Sequence, residues 1–228
     1  MKKILFICYG YLKDGITNAN SECMREIVSE LAGAYEIHVV TNQPVGSMHS
    51  SVKMEADTVI HVIPTEKKKK KEVSNKIVNK ARCLLNRIYR FDDKWVANAY
   101  KYIECQLKPS EFSAIVSVSF PFTTITIGEK IKVNHPDTRW FIYELDPYAN
   151  NLALRLPHGA WLLRMYLETR AFNLADKILL TNELYRQYSQ GTFSRFKNKY
   201  LNAGIPLLKD IRQGFIPRKK EKKAASCD

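Results

Sequence analysis

The sequence predicts an α/β fold with a doubly wound, mostly parallel sheet of about seven strands and helices on both faces. Three observations predict it. Short continuous apolar runs, typical of strands that are buried on both faces, recur along the chain. Stretches with apolar residues at helical spacing separate these runs, as the crossovers between parallel strands require. The 228 residues are also enough to bury one large core.

The first strand-helix-strand unit covers residues 3–41. Residues 3–8 form a continuous apolar run, which predicts the first strand. A helix follows, because Cys23, Ile27 and Leu31 recur at helical spacing, and Gly33 marks its end. The second strand is predicted over residues 36–41. A right-handed crossover in this unit would bring the glycine-containing loop after the first strand to the crevice at the carboxyl edge of the sheet.

Five more apolar runs predict the remaining strands. Pro64 ends the first of them, since proline has no N–H group to donate to a neighbouring strand. Their predicted bounds are residues 59–63, 114–119, 139–145, 177–181 and 200–203.

The helices between these strands are predicted from apolar periodicity. Apolar residues recur from residue 77 to 107, but a single helix of that length would extend about 46 Å, too long for this domain. We therefore predict two helices that divide near Phe91, with Asp92 or Asp93 as the N-cap. A short helix reaches about Val133, and another covers residues 183–188. An amphipathic helix begins at Pro157, with an apolar stripe formed by Trp161, Leu162, Met165, Tyr166, Thr169 and Phe172.

Charge and cysteine content restrict the functional class. The net charge of +13 is concentrated in two basic tracts, Lys67–Lys71 and residues 218–223, which are either solvated segments or contacts with phosphate groups. The five cysteines include no C-x-x-C pair, which argues against a disulfide framework or a zinc site and predicts reduced, mostly buried thiols. No apolar run is long enough for a signal peptide or a membrane span, so we expect a cytoplasmic protein.

Four segments carry a resemblance to a known family. They are residues 9–18, 112–119, 140–148 and 174–183, the third a tryptophan-initiated strand that ends in Asp-Pro and the fourth an Ala-Asp-strand-Thr string. Their order and spacing resemble the N-terminal domain of GT-B glycosyltransferases, most closely the family-four type that builds bacterial surface polysaccharides. The resemblance implies a Rossmann-like acceptor-binding domain over residues 1–206, with a basic linker or tail over 207–228.

In that family a second domain holds the nucleotide-sugar donor, and we expect this donor domain to be absent from the chain. Residues 10–18 have neither a G-x-G-x-x-G spacing nor a P-loop lysine motif, so no nucleotide cofactor is predicted for this domain itself. No catalytic metal is expected either, because Asp92-Asp93 lacks the D-x-D spacing of metal-dependent transferases.

Glu144 and Asp146 are the predicted catalytic residues. They stand two apart at the end of a strand, so their carboxyl groups would point the same way and one pKa would be raised. Such a carboxylate could remove the proton from an acceptor hydroxyl. The alternative is that Asp146-Pro147 only begins a turn. His38 and His61 lie within strands and are predicted to be satisfied core residues.

Substrate contacts are predicted around the crevice. The loop glycines Gly10 and Gly15 either approach a ligand or simply allow a tight turn. The predicted substrate-binding residues are Asp14, Gly15, Ile16, Thr17, Asn18, Ser119 and Tyr148.

A basic and aromatic stretch predicts contact with an anionic membrane. Its predicted membrane contacts are Lys67, Lys68, Lys69, Lys70, Lys71, Arg87 and Trp95. The alternative is an ordinary helix that packs on the core and keeps its charged side in solvent.

The expected function is therefore acceptor binding in a glycosyltransferase that moves a sugar from a nucleotide-sugar to a lipid-linked oligosaccharide for capsule or exopolysaccharide synthesis. Such a domain would lie peripherally on the inner face of the plasma membrane, with a separate donor-domain chain as a possible partner. The alternative is a non-catalytic binding subunit, or a truncated protein, that acts with a partner chain at the membrane. No nucleic acid partner is expected, because no recognition motif accompanies the basic tracts.

Overall fold

The computed structural model describes residues 1–11, 19–42, 58–64, 93–119, 121–150 and 160–204. These residues form one sheet of seven parallel strands in the order β3-β2-β1-β4-β5-β6-β7. The strands are β1 (Lys2–Ile7), β2 (Tyr35–Asn42), β3 (Thr58–Ile63), β4 (Ala114–Val118), β5 (Trp140–Glu144), β6 (Lys177–Leu180) and β7 (Tyr200–Asn202). The predicted fold class is confirmed.

Helices cover both faces of this sheet because successive residues of a buried strand point to opposite sides. One face packs against α1 (Ala19–Leu31), through Met24 and Val28. The other face packs against helices that all follow β3 in the sequence. These are α2 (Asp93–Tyr102), α3 (Thr123–Asn134), α4 (Ala160–Leu174) and α5 (Asn182–Gln190).

The observed boundaries differ from the predicted ones by a few residues. Helix α2 begins at Asp93, where a cap was expected, but a π-helical turn over Ile103–Leu107 replaces its last predicted turn. Strand β5 ends at Glu144, so Asp146 lies beyond the strand. Helix α5 begins after Thr181, whose hydroxyl oxygen accepts a hydrogen bond from the Leu184 N–H group.

Several predictions concern residues outside the described ranges. They include the loop residues Asp14, Gly15, Ile16, Thr17 and Asn18, the basic residues Lys67–Lys71 and Arg87, the first part of the helical stripe, and the tail 207–228.

Close packing of α3 on the sheet depends on Gly128. The indole N–H group of Trp140 donates to the Ser117 hydroxyl at 3.0 Å directly beneath this helix. A β-carbon at position 128 would overlap both of these groups. Glycine is therefore required here for the approach of the backbone rather than for an unusual φ angle.

Lys199 caps the carboxyl end of α4. Its ammonium group donates to the carbonyl oxygens of Phe172, Asn173 and Ala175 at 3.0, 2.7 and 2.8 Å. The last carbonyl groups of a helix have no partner within the helix, so a cation here satisfies them and favours the negative end of the helix dipole.

Two of the predicted thiols are buried. Cys8 and Cys23 are free and lie in the core, and burial raises the pKa of Cys8 to about 12. Cys105 is free and exposed.

Candidate functional site

The strand order reverses between β1 and β4, and sheets of this type bind their ligands at the carboxyl edge beside such a reversal. Hydrogen bonds join the turn after β1 to β2 and to α1. Gly10, with a φ of 77°, donates its N–H group to Asn42 Oδ1 at 2.5 Å, and Ser21 Oγ donates to the Gly10 carbonyl oxygen at 2.6 Å. Tyr11 N–H donates to Thr41 Oγ1 at 3.2 Å. The described part of this loop thus shows Gly10 in a tight turn, the simpler of the two sequence interpretations.

Glu144 ends β5 inside the protein. Its side chain has no solvent exposure, and neither carboxyl oxygen has a hydrogen-bond partner among the described residues. Burial raises its pKa well above the usual range, and the charges of Glu168 and Asp146 raise it further, while the nearby Ser119 hydroxyl opposes them. Burial therefore favours the protonated form of the Glu144 carboxyl group.

Glu168, on α4, is a second buried carboxyl group beside the first. Unlike Glu144 it has donors: Tyr188 O–H at 2.7 Å from Oε1 and Ala149 N–H at 3.0 Å from Oε2. Burial nevertheless raises its pKa to about 7, against the lowering effect of these hydrogen bonds and of Arg164. The buried pair can therefore change its charge near neutral pH.

Arg164 lies one turn before Glu168 on the same face of α4 and is also fully buried. It donates to the Tyr148 carbonyl oxygen at 3.3 Å, and its guanidinium group lies 4.8 Å from the Tyr148 ring centroid. Together, Arg164 and Glu168 hold the main chain at Tyr148 and Ala149, just after Asp146. These two side chains fix the turn that leaves β5.

The sequence prediction for the apolar stripe of α4 is correct for Phe172, which is buried, and for Met165, which packs against the core, but it is wrong for three other residues. Trp161, Leu162 and Tyr166, predicted to be in the apolar stripe, are 50%, 64% and 58% exposed. The buried face instead combines Arg164 and Glu168 with the apolar side chains of Leu167, Ala171 and Phe172. The sequence contains a signal for this arrangement, because Arg164 and Glu168 are spaced i, i+4 on the face of those three apolar residues.

Asp146 and Glu144 do not occupy equivalent positions. Asp146 is exposed in the turn beyond β5, whereas Glu144 is inside the protein. Their charges still interact, since Asp146 contributes to the raised pKa of Glu144. Of the two predicted catalytic residues, only Asp146 presents its side chain to solvent.

The described substrate-binding predictions fall on buried residues. Ser119 is buried, and its hydroxyl oxygen accepts from the Leu145 N–H group at 3.2 Å. The Tyr148 ring is stacked on Phe122, with centroids 4.0 Å apart, and has Arg164 near its ring. The Tyr148 ring is thus engaged by protein groups in this conformation, and its contact with a substrate stays a prediction. Ser119 likewise serves internal contacts here.

Trp95 is also wrongly assigned. It was predicted to contact a membrane, but it is fully buried on α2 and packs edge-on against Tyr9, with ring centroids 5.1 Å apart. A side chain without exposure cannot touch lipid. The alternative interpretation, a helix that packs on the core, is correct for this part of the stretch.

The exposed side of α4 gives a different candidate surface. We call Trp161, Leu162 and Tyr166 the α4 patch. Arg170 follows on the same exposed side, where it forms an ion pair with Glu129 of α3. Aromatic and aliphatic side chains beside a cation form the type of surface found at protein and membrane contacts.

The described residues contain no group of three or more His, Cys, Asp or Glu side chains able to hold a metal ion. No helix among them is sufficiently long and apolar to cross a membrane. In comparisons with known proteins, no protein-family model matches this chain, and no curated protein matches it significantly.

Proposed function

We propose that this chain is the acceptor-binding domain of a GT-B-type glycosyltransferase, which transfers a sugar from a nucleotide-sugar to a lipid-linked oligosaccharide in capsule or exopolysaccharide synthesis. The observation that carries the proposal is the unequal carboxyl pair at the end of β5, beside the point where the strand order reverses. The resemblance in the four sequence segments supplies the reaction class.

Asp146 is the proposed general base. It is exposed in the turn after β5, and burial of its neighbour Glu144 favours the uncharged form of that second carboxyl group. As the acceptor oxygen bonds to the anomeric carbon and the nucleotide diphosphate leaves, Asp146 would take the hydroxyl proton. Glu144 takes no part in this transfer, because its side chain is fully buried.

Peripheral binding to the inner face of the plasma membrane is the second part of the proposal. The α4 patch supports it, since tryptophan, leucine and tyrosine suit the boundary between water and lipid. Lys67–Lys71 and Arg87 remain the predicted electrostatic contacts. A lysine near an anionic surface contributes about 1 kcal/mol, so five of them would supply several kcal/mol before ordering costs.

A transfer assay tests the catalytic part. The chain is combined with host membranes as the source of a donor-binding domain, a panel of UDP- and GDP-sugars and a lipid-linked oligosaccharide. We expect Asp146→Asn to lower the transfer rate by about 10²- to 10⁴-fold. Asp137→Asn is the matched control, because Asp137 is exposed in a turn after α3.

Two outcomes would count against this proposal in different ways. A rate for the Asp146 variant within about threefold of the parent would reject Asp146 as the base. Absence of donor-dependent product with every sugar would reject glycosyl transfer. That result would favour a non-catalytic binding subunit, which the internal engagement of Ser119 and Tyr148 also supports.

Vesicle co-sedimentation tests the membrane part. A variant with Trp161, Leu162 and Tyr166 changed to serine should lose the binding that survives at 1 M salt, where the screening length is only about 3 Å. A second variant, with Lys67–Lys71 changed to glutamine, should lose mainly the binding seen at low salt. Equal sedimentation of the parent and both variants under all conditions would exclude these surfaces.

A further inference from the structure

A chain of hydrogen-bonded side chains crosses one face of the sheet, away from the carboxyl edge. Glu36 Oε1 lies 2.8 Å from His38 Nε2, His38 Nδ1 lies 2.9 Å from His61 Nε2, and His61 Nδ1 lies 3.0 Å from the Tyr102 hydroxyl oxygen. We call these four residues the histidine relay. It joins β2 to β3, and β3 to the last residue of α2.

The surroundings of the relay are partly apolar. The two imidazole rings are stacked, with centroids 5.2 Å apart and planes inclined by 14°. Phe112 packs edge-on against His38, and the His38 side chain is only 12% exposed. The charged group that faces the relay from β1 is Lys3, whose Nζ lies 3.5 Å from Glu36 Oε1. Water therefore has limited access to His38, whereas the Glu36 end of the relay is 34% exposed.

When both histidines are uncharged, the number of protons determines which atom donates and which accepts at each contact of the histidine relay. Ionised Glu36 can only accept, so His38 must carry a proton on Nε2, and the pKa of Glu36 is lowered chiefly by this hydrogen bond. In neutral His38 the Nδ1 atom is then bare and accepts from His61 Nε2–H. His61 Nδ1 is bare in turn and accepts from the Tyr102 hydroxyl group. Every contact in the neutral relay thus has one donor and one acceptor.

The relay can take up one proton without losing a contact. If His38 becomes doubly protonated, its Nδ1–H donates to His61 Nε2, and the His61 proton moves to Nδ1 and donates to the Tyr102 oxygen. If His61 is doubly protonated instead, it donates at both ends, to His38 through Nε2 and to Tyr102 through Nδ1. A second proton has no such solution, because two N–H groups would then face each other across the 2.9 Å contact between the imidazoles.

We infer that the histidine relay is an acid-sensitive fastening for the edge strand β3, which tolerates one added proton and opens when it receives two. Opening breaks the side-chain tie from β3 to β2 at the contact between the two imidazoles, while His61 Nδ1–H can still donate to the Tyr102 oxygen. Among the described strands, β3 pairs only with β2, and the contact between the imidazoles adds a side-chain tie to that main-chain pairing. Acidification should therefore loosen this corner of the sheet before the rest.

The sign of the pH effect follows from His61. Burial lowers its pKa, and the charge of His38 lowers it further. A histidine with a lowered pKa binds protons less readily in the folded state than in the unfolded state. Its contribution to stability is present above the unfolded pKa of about 6.5 and is lost as the pH falls through the folded value.

The test combines nitrogen NMR of the imidazoles with amide hydrogen exchange on the full chain. At pH 7.5 both histidines should carry a proton on Nε2 and none on Nδ1. On titration to pH 4.5, one proton should enter the pair without loss of amide protection in β3. Entry of the second should lower the β3 protection factors by about tenfold or more, while the central strands β1 and β4 keep theirs.

Two variants distinguish opening of the histidine relay from a general loss of protein stability in acid. His61→Gln removes one titrating group, and its amide can donate to His38 while accepting from Tyr102, so acid loosening of β3 should disappear. His135→Gln is the matched control, because His135 pairs with Glu104 at 2.8 Å outside the relay and its loss should leave the acid response of β3 unchanged. If His61→Gln does not fold, His38→Gln replaces it in the same test.

Either of two results would overturn the inference. One is independent protonation of both histidines with full retention of β3 protection. The other is acid loosening of β3 in the glutamine variant equal to that of the parent.

Discussion

Replacement of Glu168 by glutamine should make the protein more stable at alkaline pH and leave it nearly unchanged at acid pH. Glutamine has the same shape, so its oxygen can still accept from Ala149 N–H while its amide donates to the Tyr188 hydroxyl oxygen. The variant therefore resembles the protonated glutamic acid at every pH. What it lacks is the cost of ionising a fully buried carboxyl group.

The magnitude follows from the pKa of Glu168. Burial is the largest effect on it and raises the pKa from 4.5 to about 7. Between these values the folded protein keeps a proton that the unfolded chain loses, so the free energy of unfolding falls as the pH rises. The loss amounts to about 3 kcal/mol once the pH exceeds 7. The glutamine variant should avoid this loss.

Urea denaturation followed by tryptophan fluorescence measures the difference. The free energies of unfolding of parent and variant should agree near pH 4.5 and differ by about 3 kcal/mol at pH 8, the variant being more stable. Glu183→Gln is the control, because Glu183 is exposed at the start of α5 and should show no such divergence.

The opposite sign at pH 8 would refute the reasoning. If the glutamine variant were less stable there, the ionised pair of Glu168 with Arg164 would outweigh the desolvation of the carboxylate. The buried pair would then be a net source of stability at neutral pH.

Two further substitutions probe the packing of the helices. Gly128→Ala should destabilise the protein by about 1–3 kcal/mol in thermal unfolding, because the added methyl group overlaps Trp140 and Ser117, although alanine normally stabilises a helix interior. A gain in stability would show that α3 can move away from the sheet at little cost. Lys199→Met should lower the free energy of unfolding by about 1–3 kcal/mol, because it leaves carbonyl groups at the end of α4 without a donor. Lys197→Met, at an exposed position, should be nearly neutral. Equal effects of the two substitutions would exclude the capping role of Lys199.

The strands were predictable because a parallel sheet buries both of its faces. Strands β4 and β6 therefore appear in the sequence as uninterrupted apolar runs, and their positions were found to within one residue. The parallel pairing follows from the alternation of strands and helices, because each crossover returns the chain to the same end of the sheet. These rules use only local pattern and general geometry.

The functional site was less predictable because its residues depend on partners that are distant in sequence. Glu144 was selected for its place at a strand end, but nothing nearby indicates that Glu168 lies against it. Arg164 and Glu168 are charged, so a search for apolar stripes did not include them. They can be buried only because Tyr148, Ala149 and Tyr188 provide hydrogen-bond partners, and local spacing does not reveal this.

Trp95 shows the same limit of prediction from sequence, because here a buried residue was predicted to lie at the surface. An aromatic residue near a basic tract is compatible both with a membrane contact and with a core position. The choice depends on whether Tyr9, which is far away in the sequence, is there to pack against it.

The two halves of α4 are attached to the core by different kinds of side chain, and this has a consequence for the folding pathway. Its carboxyl-terminal half is attached through Ala171 and Phe172, whose burial gains free energy as soon as water is excluded. Its amino-terminal half is attached through Arg164 and Glu168, which lose hydration before their hydrogen bonds form. We therefore expect the amino-terminal half to dock after the rate-limiting step, so that substitutions at Arg164 mainly accelerate unfolding, whereas those at Phe172 also slow refolding.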